Sequence, residues 1–334
     1  MAGKDRVLIT GAAGFIGFHL ARRMLAQGWE VVGFDGMTPY YDPRLKEARL
    51  AILQAQAGFR FVQGLLEDGI TDLVAETRPA VIIHLAAQAG VRYSIEAPRS
   101  YVQANLIGTH EVLEAARAHP PRHLMMASTS SAYGANDKMP YAETDRATHP
   151  LSFYAATKIA NEAMAHSYAH LFALPTTMFR FFTVYGPWGR PDMALFKFTK
   201  AILDGDPIDV YNHGDMRRDF TYVDDLVEGI LRLTATPPGT TPAGPMDSLS
   251  PVAPYRVVNI GNGAPVPLTD FIAAIEAATG RAATRNLMPM QAGDVPATWA
   301  DASLIEALVG KLPQTDIRDG VARFVEWYRG WNGA

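Results

Sequence analysis

A tyrosine and a lysine, Tyr154 and Lys158, lie four residues apart in the run YAATK. On a helix this spacing places both side chains on one face. A neighbouring ammonium group stabilises a phenolate and lowers the pKa of tyrosine from about 10 toward neutrality. Such a phenolate can accept the proton of an alcohol while hydride leaves the alcohol carbon. We therefore predict acid–base chemistry at this pair, with a solvated helix face as the alternative for the spacing alone.

Hydroxyl side chains follow the apolar run that begins at His123, in the sequence STSS at 128–131. A strand over this run would place them at the carboxyl edge of a parallel sheet, where Rossmann-type folds bind their ligands. We predict that Thr129 shares the reacting proton with Tyr154. A plain turn is the alternative for the serines, and for Ser128 in particular.

The run GAAGFIG begins at Gly11, directly after the apolar run VLIT, and opens a segment with helical periodicity. Glycines let the backbone approach a pyrophosphate closely, and a helix start offers free N–H groups and the positive end of its dipole. Asp35 follows about 20 residues later, where a carboxylate binds a ribose diol and repels a 2′-phosphate. With no arginine between Asp35 and Arg44, NAD is favoured over NADP. Tight packing of helix on sheet is the alternative role for the glycines.

These motifs need a parallel sheet to position them, and the chain alternates short apolar runs with stretches of 3.6-residue periodicity. The predicted strands are 6–10, 30–34, 59–63, 80–85, 123–128 and 176–182. The predicted helices between them are 14–27, 44–56, 70–76, 100–118 and 154–172. Strands poor in polar residues suit a sheet covered on both faces. The predicted fold is α/β, a Rossmann-type doubly wound parallel sheet with a smaller C-terminal α/β substrate lobe.

Regular alternation ends near Gly186, after which prolines and shorter mixed elements predominate. We predict an NAD-binding Rossmann domain over 1–186, which later segments can re-enter, and a smaller second lobe over 187–334 that mainly binds the substrate. Further helices are predicted at 194–203, 223–234, 268–279 and 317–331. The run 237–254 is rich in Pro, Ser, Thr and Gly, which predicts an exposed loop.

Composition narrows the class of protein. The 334 residues are 48% hydrophobic and 19% charged, with a formal charge of -4 at pH 7, so we expect a globular protein that binds neither nucleic acid nor a membrane. The absence of cysteine excludes disulfides, thiolate metal sites and a cysteine nucleophile, and no metal site is predicted. No basic segment followed by an apolar one precedes the first strand, so a cytoplasmic location is expected.

The chain resembles extended members of the short-chain dehydrogenase/reductase superfamily, which share the GxxGxxG spacing that runs from Gly11 to Gly17. Within that superfamily it is similar to UDP-glucuronate 4-epimerases over nearly the whole chain. The motifs that carry the resemblance are HLAAQAGVRYS (84–94), FYAATK (153–158), RFFTVYGPWGRPDMALF (180–196), MRRDFTYVDD (216–225) and GDVPATWAD (293–301). The resemblance implies a homodimeric, NAD-retaining isomerase that interconverts UDP-glucuronate and UDP-galacturonate through a transient 4-keto sugar.

The resemblance also implies which residues form the site. Thr129, Tyr154 and Lys158 are the predicted catalytic residues. Cofactor contacts are predicted for Gly11, Gly14, Phe15, Ile16, Gly17, Asp35, Leu66, Leu85, Ala86, Ala87, Gln88, Ser128, Tyr154, Lys158 and Phe181. Substrate contacts are predicted for Arg92, Thr129, Ser130, Ser131, Tyr154, Thr183, Arg190, Arg218 and Asp294. Among these, Arg218 resembles the diphosphate ligand and Asp294 the ligand of the uridine ribose.

A 4-keto uronic acid loses carbon dioxide when its carboxylate stands perpendicular to the carbonyl plane. We expect Ser130, Ser131, Thr183 and Arg190 to prevent this alignment by holding the carboxylate, with Arg92 as a helper. Ordinary surface arginines are the alternative for both arginines. Related dehydratases carry an Asp-Glu pair after the threonine and related decarboxylases a Glu at the second position; here both positions are serine, so neither side reaction has its acid or base.

A UDP-hexose 4-epimerase or a UDP-glucuronate decarboxylase is the nearest alternative enzyme. An NAD-sensing regulator without catalytic activity is the alternative from another class. The predicted helices 100–118 and 154–172 carry small apolar residues, including Ala115 and Ala163. These fit either a four-helix dimer interface or packing within one chain.

Overall fold

The computed structural model of the protein describes residues 5–291 and 293–333; the residues before 5, on which the expectation about a leader segment partly rests, lie outside this range. The strands are β1 (Arg6–Thr10), β2 (Glu30–Asp35), β3 (Phe59–Gln63), β4 (Val81–His84), β5 (His123–Thr129), β6 (Thr176–Phe181), β7 (Thr183–Tyr185), β8 (Ile208–Val210), β9 (Arg217–Tyr222), β10 (Tyr255–Ile260), β11 (Pro265–Pro267), β12 (Arg285–Leu287) and β13 (Ala297–Thr298). The helices are α1 (Phe15–Ala26), α2 (Pro43–Gln54), α3 (Ile70–Thr77), α4 (Tyr93–Glu96), α5 (Pro98–Tyr101), α6 (Gly108–Ala118), α7 (Phe153–Phe172), α8 (Ala194–Asp204), α9 (Val223–Leu233), α10 (Leu268–Thr279), α11 (Ser303–Val309) and α12 (Ile317–Asn332).

Seven strands form one parallel sheet in the order β10-β6-β5-β4-β1-β2-β3. Apolar side chains of α1, α9 and α11 cover one face of the sheet, and those of α3, α6 and α7 cover the other. The order of the strands reverses between β1 and β4, which opens a crevice at their carboxyl ends. The predicted doubly wound fold class is therefore present, and its crevice lies where the glycine turn follows β1.

A segment from beyond residue 186 completes this sheet. β10 pairs in parallel with β6, with Val258 opposite Phe179. The run 237–254 that precedes it forms no helix or strand, but it is fastened to β10: Asp247 pairs with the buried Arg256 at 2.8 Å, and Ser248 Oγ accepts the Val257 N–H at 3.1 Å. The loop thereby covers the outer edge of β10, a kind of edge that proteins protect from pairing with other chains.

The smaller lobe is built around β9. This strand pairs with β7, β11 and β13, while β8 and β12 form a separate two-stranded sheet. The aromatic rings of Phe220 and Phe271 stack at a centroid distance of 4.2 Å in the core between this sheet and helices α8, α10 and α12. No helix in the described part of the chain is long and apolar enough to cross a membrane.

Two predicted elements are wrong in detail. The helix predicted over 100–118 is interrupted by a π-helical stretch at Val102–Ile107, where the buried Asn105 side chain bonds the backbone N–H and carbonyl of Gln88 at 2.8 and 3.1 Å. The strand predicted over 176–182 ends at Phe181, because the chain leaves the large sheet there and enters β7 of the smaller lobe. Thr183 therefore belongs to the smaller lobe.

Candidate active site

A cavity of about 510 Å³ lies at the carboxyl ends of β1, β2, β4, β5 and β6 and extends to the start of the smaller lobe. Its wall includes every residue predicted to contact the cofactor and all three predicted catalytic residues. Of the remaining predicted substrate residues, Arg190 lines it. The wall does not include Arg92, Ser130, Ser131, Thr183, Arg218 or Asp294.

The glycine turn at one end of the cavity leaves no room for side chains. Gly11 has a φ of +74°, and a Cβ on it would lie 2.8 Å from the Ala86 nitrogen. A Cβ on Gly17 would lie 2.1 Å from the Gly11 carbonyl oxygen. Gly14 caps α1 without a side-chain hydrogen bond, so the first N–H groups and the positive end of the helix dipole are open to an anion. This cradle fits the pyrophosphate of a dinucleotide.

Asp35 is 6% exposed at the end of β2. Its carboxylate accepts the Ala13 N–H at 3.1 Å and the Met37 N–H at 2.8 Å, which holds it beside the glycine turn as a ribose ligand would require. Lys46 Nζ lies 3.7 Å from Asp35 Oδ1 and also lines the cavity. Sequence reasoning missed Lys46, because only the packing of α2 against the sheet brings it to Asp35.

Tyr154 and Lys158 lie in the first two turns of α7, whose start is fixed by Ser152 capping the Ala155 N–H at 3.1 Å. Lys158 Nζ donates to the Ala127 carbonyl at 2.9 Å. Burial lowers the pKa of Lys158 to about 8, while the Glu162 carboxylate acts in the opposite direction. At neutral pH the lysine is therefore mostly a cation.

The pKa of Tyr154 departs from the sequence-based expectation. Burial raises it, and this is the largest effect; the Thr129 hydroxyl and the Arg190 guanidinium lower it by smaller amounts. Lys158 does not shift it toward neutrality, because its ammonium group is directed to the Ala127 carbonyl rather than to the phenol. The expectation that the Lys158 ammonium group lowers the pKa of Tyr154 toward neutrality is therefore wrong.

Ser128 lines the cavity, but its hydroxyl donates to Glu162 Oε1 at 2.5 Å. Glu162 in turn accepts two bonds from the buried Arg180, at 3.0 and 2.7 Å. The Ser128 proton is thus committed to this buried network, and only its side-chain surface and backbone remain for a cofactor. Glu162 was not predicted, although its spacing of four residues beyond Lys158 is a signal that could have found it.

The Arg190 guanidinium is paired within the chain. Its Nε and Nη2 donate to the two oxygens of Asp192 at 3.0 and 2.5 Å, and the Tyr40 hydroxyl donates to the same carboxylate at 3.2 Å. Burial raises the pKa of Tyr40 to about 12, so the hydroxyl remains a donor at neutral pH. Asp192 was also missed, although a carboxylate two residues from an arginine in one loop is a visible signal.

The remaining substrate candidates lie in separate places: Arg218 in β9 of the smaller lobe, Arg92 directly before α4, and Thr129 to Ser131 at the end of β5. Arg218 pairs with Asp294 at 2.7 Å and also donates to the Val295 carbonyl. Arg92 is exposed, with its guanidinium 5.1 Å from the centre of the Tyr211 ring. Thr129 accepts the Ser131 N–H at 3.2 Å and so caps the short 3₁₀ turn that begins with Ser130.

The comparisons with known proteins agree with this geometry. The chain matches the model of the NAD dependent epimerase/dehydratase family over residues 7–260. A relative from Rhizobium meliloti (strain 1021), named probable UDP-glucuronate 4-epimerase, is 60% identical over 329 residues, which are 97% of this chain and 96% of the relative. The chain belongs to the NAD dependent epimerase/dehydratase family. The family resemblance predicted from the motifs is confirmed.

Solved structures of this kind share the whole architecture. UDP-glucuronic acid 4-epimerase from Bacillus cereus, in complex with UDP-glucuronic acid and NAD, is 31% identical with a TM-score of 0.87, covering 98% of this chain and 99% of that chain. UDP-glucose 4-epimerase from Thermus thermophilus, in complex with NAD, is 27% identical with a TM-score of 0.82, covering 97% and 99%. The predicted Rossmann-type fold with its smaller lobe is thereby confirmed.

Proposed function

We propose that the protein is a UDP-glucuronate 4-epimerase, an isomerase that interconverts UDP-glucuronate and UDP-galacturonate with a bound NAD. The observation that carries this proposal is one cavity that contains the Tyr154 phenol, the Thr129 hydroxyl and the Arg190 guanidinium together with the glycine cradle. The similarity to the Rhizobium meliloti and Bacillus cereus proteins supports the choice of a uronate over a neutral hexose.

The residues present fit NAD. The glycine turn and the start of α1 would hold the pyrophosphate, Asp35 the adenosine ribose diol, and Lys158 the nicotinamide ribose. Leu65 is 44% exposed and lines the cavity; because its side chain accepts no hydrogen bond, any polar contact with the adenine amino group comes from the backbone or a neighbouring residue. Bound NAD supplies the group that accepts a hydride from carbon 4 of the sugar and later returns it.

The chain's own residues move the proton. Tyr154 accepts the proton of the 4-hydroxyl, with Thr129 sharing the hydrogen bond, as hydride leaves carbon 4. The phenolate form of Tyr154 that accepts this proton is favoured by the Thr129 hydroxyl and the Arg190 guanidinium. After the 4-keto sugar has rotated in the site so that its other face would receive the hydride, Tyr154 returns the proton to the same 4-oxygen. No net oxidation or reduction occurs over the cycle.

The uronate carboxylate needs its own ligands. We assign it to Ser130, Ser131, Thr183 and Arg190, with Arg92 as a helper; of these residues Arg190 lines the cavity, and the others lie outside its wall. Because Arg190 Nε and Nη2 are taken by Asp192, the guanidinium offers the substrate its remaining N–H groups in a fixed orientation. Holding the carboxylate in the carbonyl plane prevents loss of carbon dioxide from the 4-keto stage.

We assign the UDP moiety to the cleft beside Arg218 and Asp294. A guanidinium matches phosphate oxygens and a carboxylate matches a ribose diol. The two side chains are bonded to each other at 2.7 Å, so binding requires them to exchange or share that contact. The pairing fixes where both groups stand before the nucleotide arrives.

A homodimer in the cytoplasm is part of this proposal. Large apolar side chains are exposed on the two helical segments predicted to form an interface, namely Val102 and Ile107 before α6 and Phe153, Leu171 and Phe172 on α7. Exposed apolar side chains of this size favour burial against a second copy. A molar mass of two chains by light scattering is the expected result. The cytoplasm is the compartment that supplies NAD and nucleotide sugars.

Product analysis tests the proposed reaction. The purified protein is incubated with UDP-glucuronate and NAD, and the products and any released carbon dioxide are measured. UDP-galacturonate without carbon dioxide is expected. A UDP-pentose with one carbon dioxide per turnover indicates a decarboxylase, and turnover of UDP-glucose but not UDP-glucuronate indicates a hexose epimerase. A protein that binds NAD but converts none of these substrates would overturn the enzyme assignment in favour of a regulator.

A further inference from the structure

Arg49 is an arginine of α2 that is completely buried behind the cofactor turn. Its Nη1 donates to the Ala13 carbonyl at 3.0 Å and to the Tyr41 hydroxyl at 2.8 Å. Its Nη2 donates to the Trp188 carbonyl at 2.5 Å. One guanidinium therefore joins the glycine turn, which belongs to the cofactor site, to the loop that carries Arg190.

The loop that receives this bond is tightly constrained. Trp188 has a φ of +62°, a left-handed conformation that is uncommon for a residue other than glycine. The adjacent Pro187 carbonyl is bonded to His19 Nε2 at 2.9 Å. The Trp188 ring packs against Phe18 at 5.5 Å and Trp327 at 5.2 Å. Such a conformation persists where the surroundings over-determine it, and here α1, α2 and α12 all contribute.

The burial of Arg49 is costly. Among the described residues no carboxylate lies within ion-pair distance of it, and its buried Nε has no hydrogen-bond partner. Burial lowers its pKa. An arginine held by neutral oxygens alone adds less stability than a well-packed apolar residue of the same size would. We therefore expect Arg49 to matter for the position of the groups it contacts rather than for the free energy of unfolding.

We propose that Arg49, together with His19, is a positioning residue that holds the 187–190 loop against the cofactor turn and so fixes the Arg190 guanidinium for the substrate carboxylate. The inference rests on the proposed function, because it assigns Arg190 to a uronate. Its consequence is selectivity: loosening the loop weakens the binding of a nucleotide sugar with a carboxylate and leaves one without a carboxylate unchanged.

The chemistry requires an arginine at this position. The planar guanidinium reaches the glycine turn with one nitrogen and the Trp188 carbonyl with another. A lysine keeps the charge but concentrates its donors on one atom, so it cannot span both carbonyls in the same geometry. Arg49→Lys is thus a variant that keeps the positive charge and releases the loop.

The test measures binding to the NAD-loaded protein in the Tyr154→Phe background, where the sugar does not react. Titration calorimetry gives the Kd of UDP-glucuronate and of UDP-glucose with and without Arg49→Lys. We expect the affinity for UDP-glucuronate to fall about 10-fold to 100-fold, the range that follows from a misplaced ligand group. The affinity for UDP-glucose should change less than about twofold, since it has no carboxylate for Arg190 to hold.

In the background with Tyr154 intact, Arg49→Lys should also release carbon dioxide in a measurable fraction of turnovers. Arg256→Lys is the matched control. Arg256 is likewise buried, but its partner Asp247 lies at the far edge of the sheet. The same substitution there therefore measures the effect of losing a buried arginine without changing the contacts of the 187–190 loop. It should leave the ratio of the two affinities as in the parent.

Equal losses of affinity for both nucleotide sugars, or no loss for either, would overturn the positioning role. If Arg49→Lys does not fold, His19→Gln releases the same loop from the α1 side, and an unchanged affinity ratio in that variant has the same meaning. A parent protein that does not prefer UDP-glucuronate over UDP-glucose overturns the proposed function itself. A parent that does prefer it, combined with an unchanged ratio in the variants, overturns this inference alone.

Discussion

The proposed cofactor side of the site lies within the cavity, whereas the proposed substrate side extends beyond the cavity wall to Arg218 and Asp294. The two sides are built from different kinds of chemical groups. The cofactor side uses backbone N–H groups, glycines and one carboxylate. Much of it comes from the single stretch between Gly11 and Asp35. The substrate side uses charged side chains from distant parts of the chain. Each of its two key arginines is already paired with a carboxylate of the same chain, Arg190 with Asp192 and Arg218 with Asp294.

The difference has a physical consequence for binding. A cradle of backbone groups is complete before its ligand arrives and does not titrate. A wall of paired charges is close to neutral. Because the arginines already contact carboxylates, a charged substrate gains binding free energy only from the contacts that it adds. We therefore expect tight retention of NAD on one side that changes little with pH below about 8, the pKa of Lys158, and selective but moderate binding of the sugar on the other.

The largest expected effect lies where the two sides meet. Tyr154→Phe removes the group that moves the proton, and kcat should fall by about 10² to 10⁴, while NAD content stays at the wild-type level. Coupled product assays and the absorbance of bound cofactor measure the two quantities. Tyr168→Phe, on the same helix with its hydroxyl on Glu114 instead, is the matched control and should keep its activity.

The next effect breaks the cofactor side. In Gly17→Ala the new Cβ would lie 2.1 Å from the Gly11 carbonyl, so the backbone of the turn must move. A clash of this kind costs up to about 3 kcal/mol, which corresponds to roughly 100-fold weaker binding of NAD. Equilibrium dialysis measures the loss.

Gly330→Ala is the control for that substitution, because a Cβ there meets nothing within 4 Å. Retention of NAD by Gly17→Ala at the wild-type level would show that the turn does not form the cofactor cradle.

A smaller effect is expected on the substrate side. Arg190→Met removes hydrogen bonds from a charged donor to the carboxylate, which are worth about 1.5 kcal/mol at the low end of their range, so KM for UDP-glucuronate should rise about tenfold. We choose the low end because Asp192 already shares the guanidinium. Carbon dioxide should appear among the products. Unchanged kinetics with a purely epimerised product would leave Arg190 as an ordinary arginine.

The smallest expected effect on catalysis, an unchanged kcat, concerns the buried carboxyl of Glu143. Burial raises the pKa of Glu143 from 4.5 to about 7, although the Asn259 N–H donates to it. Because the folded pKa exceeds the unfolded one, its contribution to stability is complete below pH 4.5 and is lost as the pH rises to 7. The loss is on the order of 3 kcal/mol.

Urea unfolding between pH 4.5 and pH 8 measures this dependence. In Glu143→Gln the decline in the free energy of unfolding should flatten, while kcat stays unchanged. A wild-type protein whose stability does not fall over this range, or a variant with the same slope, would exclude Glu143 as the titrating group.

The pattern of apolar runs along the sequence was enough to predict six of the seven strands of the large sheet. The six strands predicted from apolar runs are present, because a strand buried on both faces is apolar along its whole length. β10 was not among the predicted strands: it lies about 70 residues beyond β6, and nothing local says which sheet it joins. The π-helical stretch at Val102–Ile107 was equally invisible, since it depends on Asn105 reaching Gln88 across the fold.

The glycine turn and Asp35, which line the cavity, could be located from the sequence because glycine spacing, a strand end and a helix start are all properties of neighbouring residues. The residues that set the protonation and orientation of the site's side chains were harder to predict from the sequence. Glu162 lay within reach of a spacing argument, but Lys46 beside Asp35 and Arg49 beneath the glycine turn depend on how α2 packs. The pKa of Tyr154 was misjudged for the same reason, because burial is a property of the folded chain.

The sequence by itself determined the family, the doubly wound sheet and the glycine, tyrosine and lysine positions, because these depend on contacts between residues close in the chain. Only the tertiary structure decided which polar and charged groups are paired. Asp192 accepts hydrogen bonds from Arg190 and Tyr40, Lys158 donates to the Ala127 carbonyl, and Arg49 donates to the Trp188 carbonyl. The physical reason is the distance along the chain over which each effect acts. Backbone conformation follows from local residue types, whereas electrostatic pairing and desolvation depend on distances across the fold that no stretch of sequence contains.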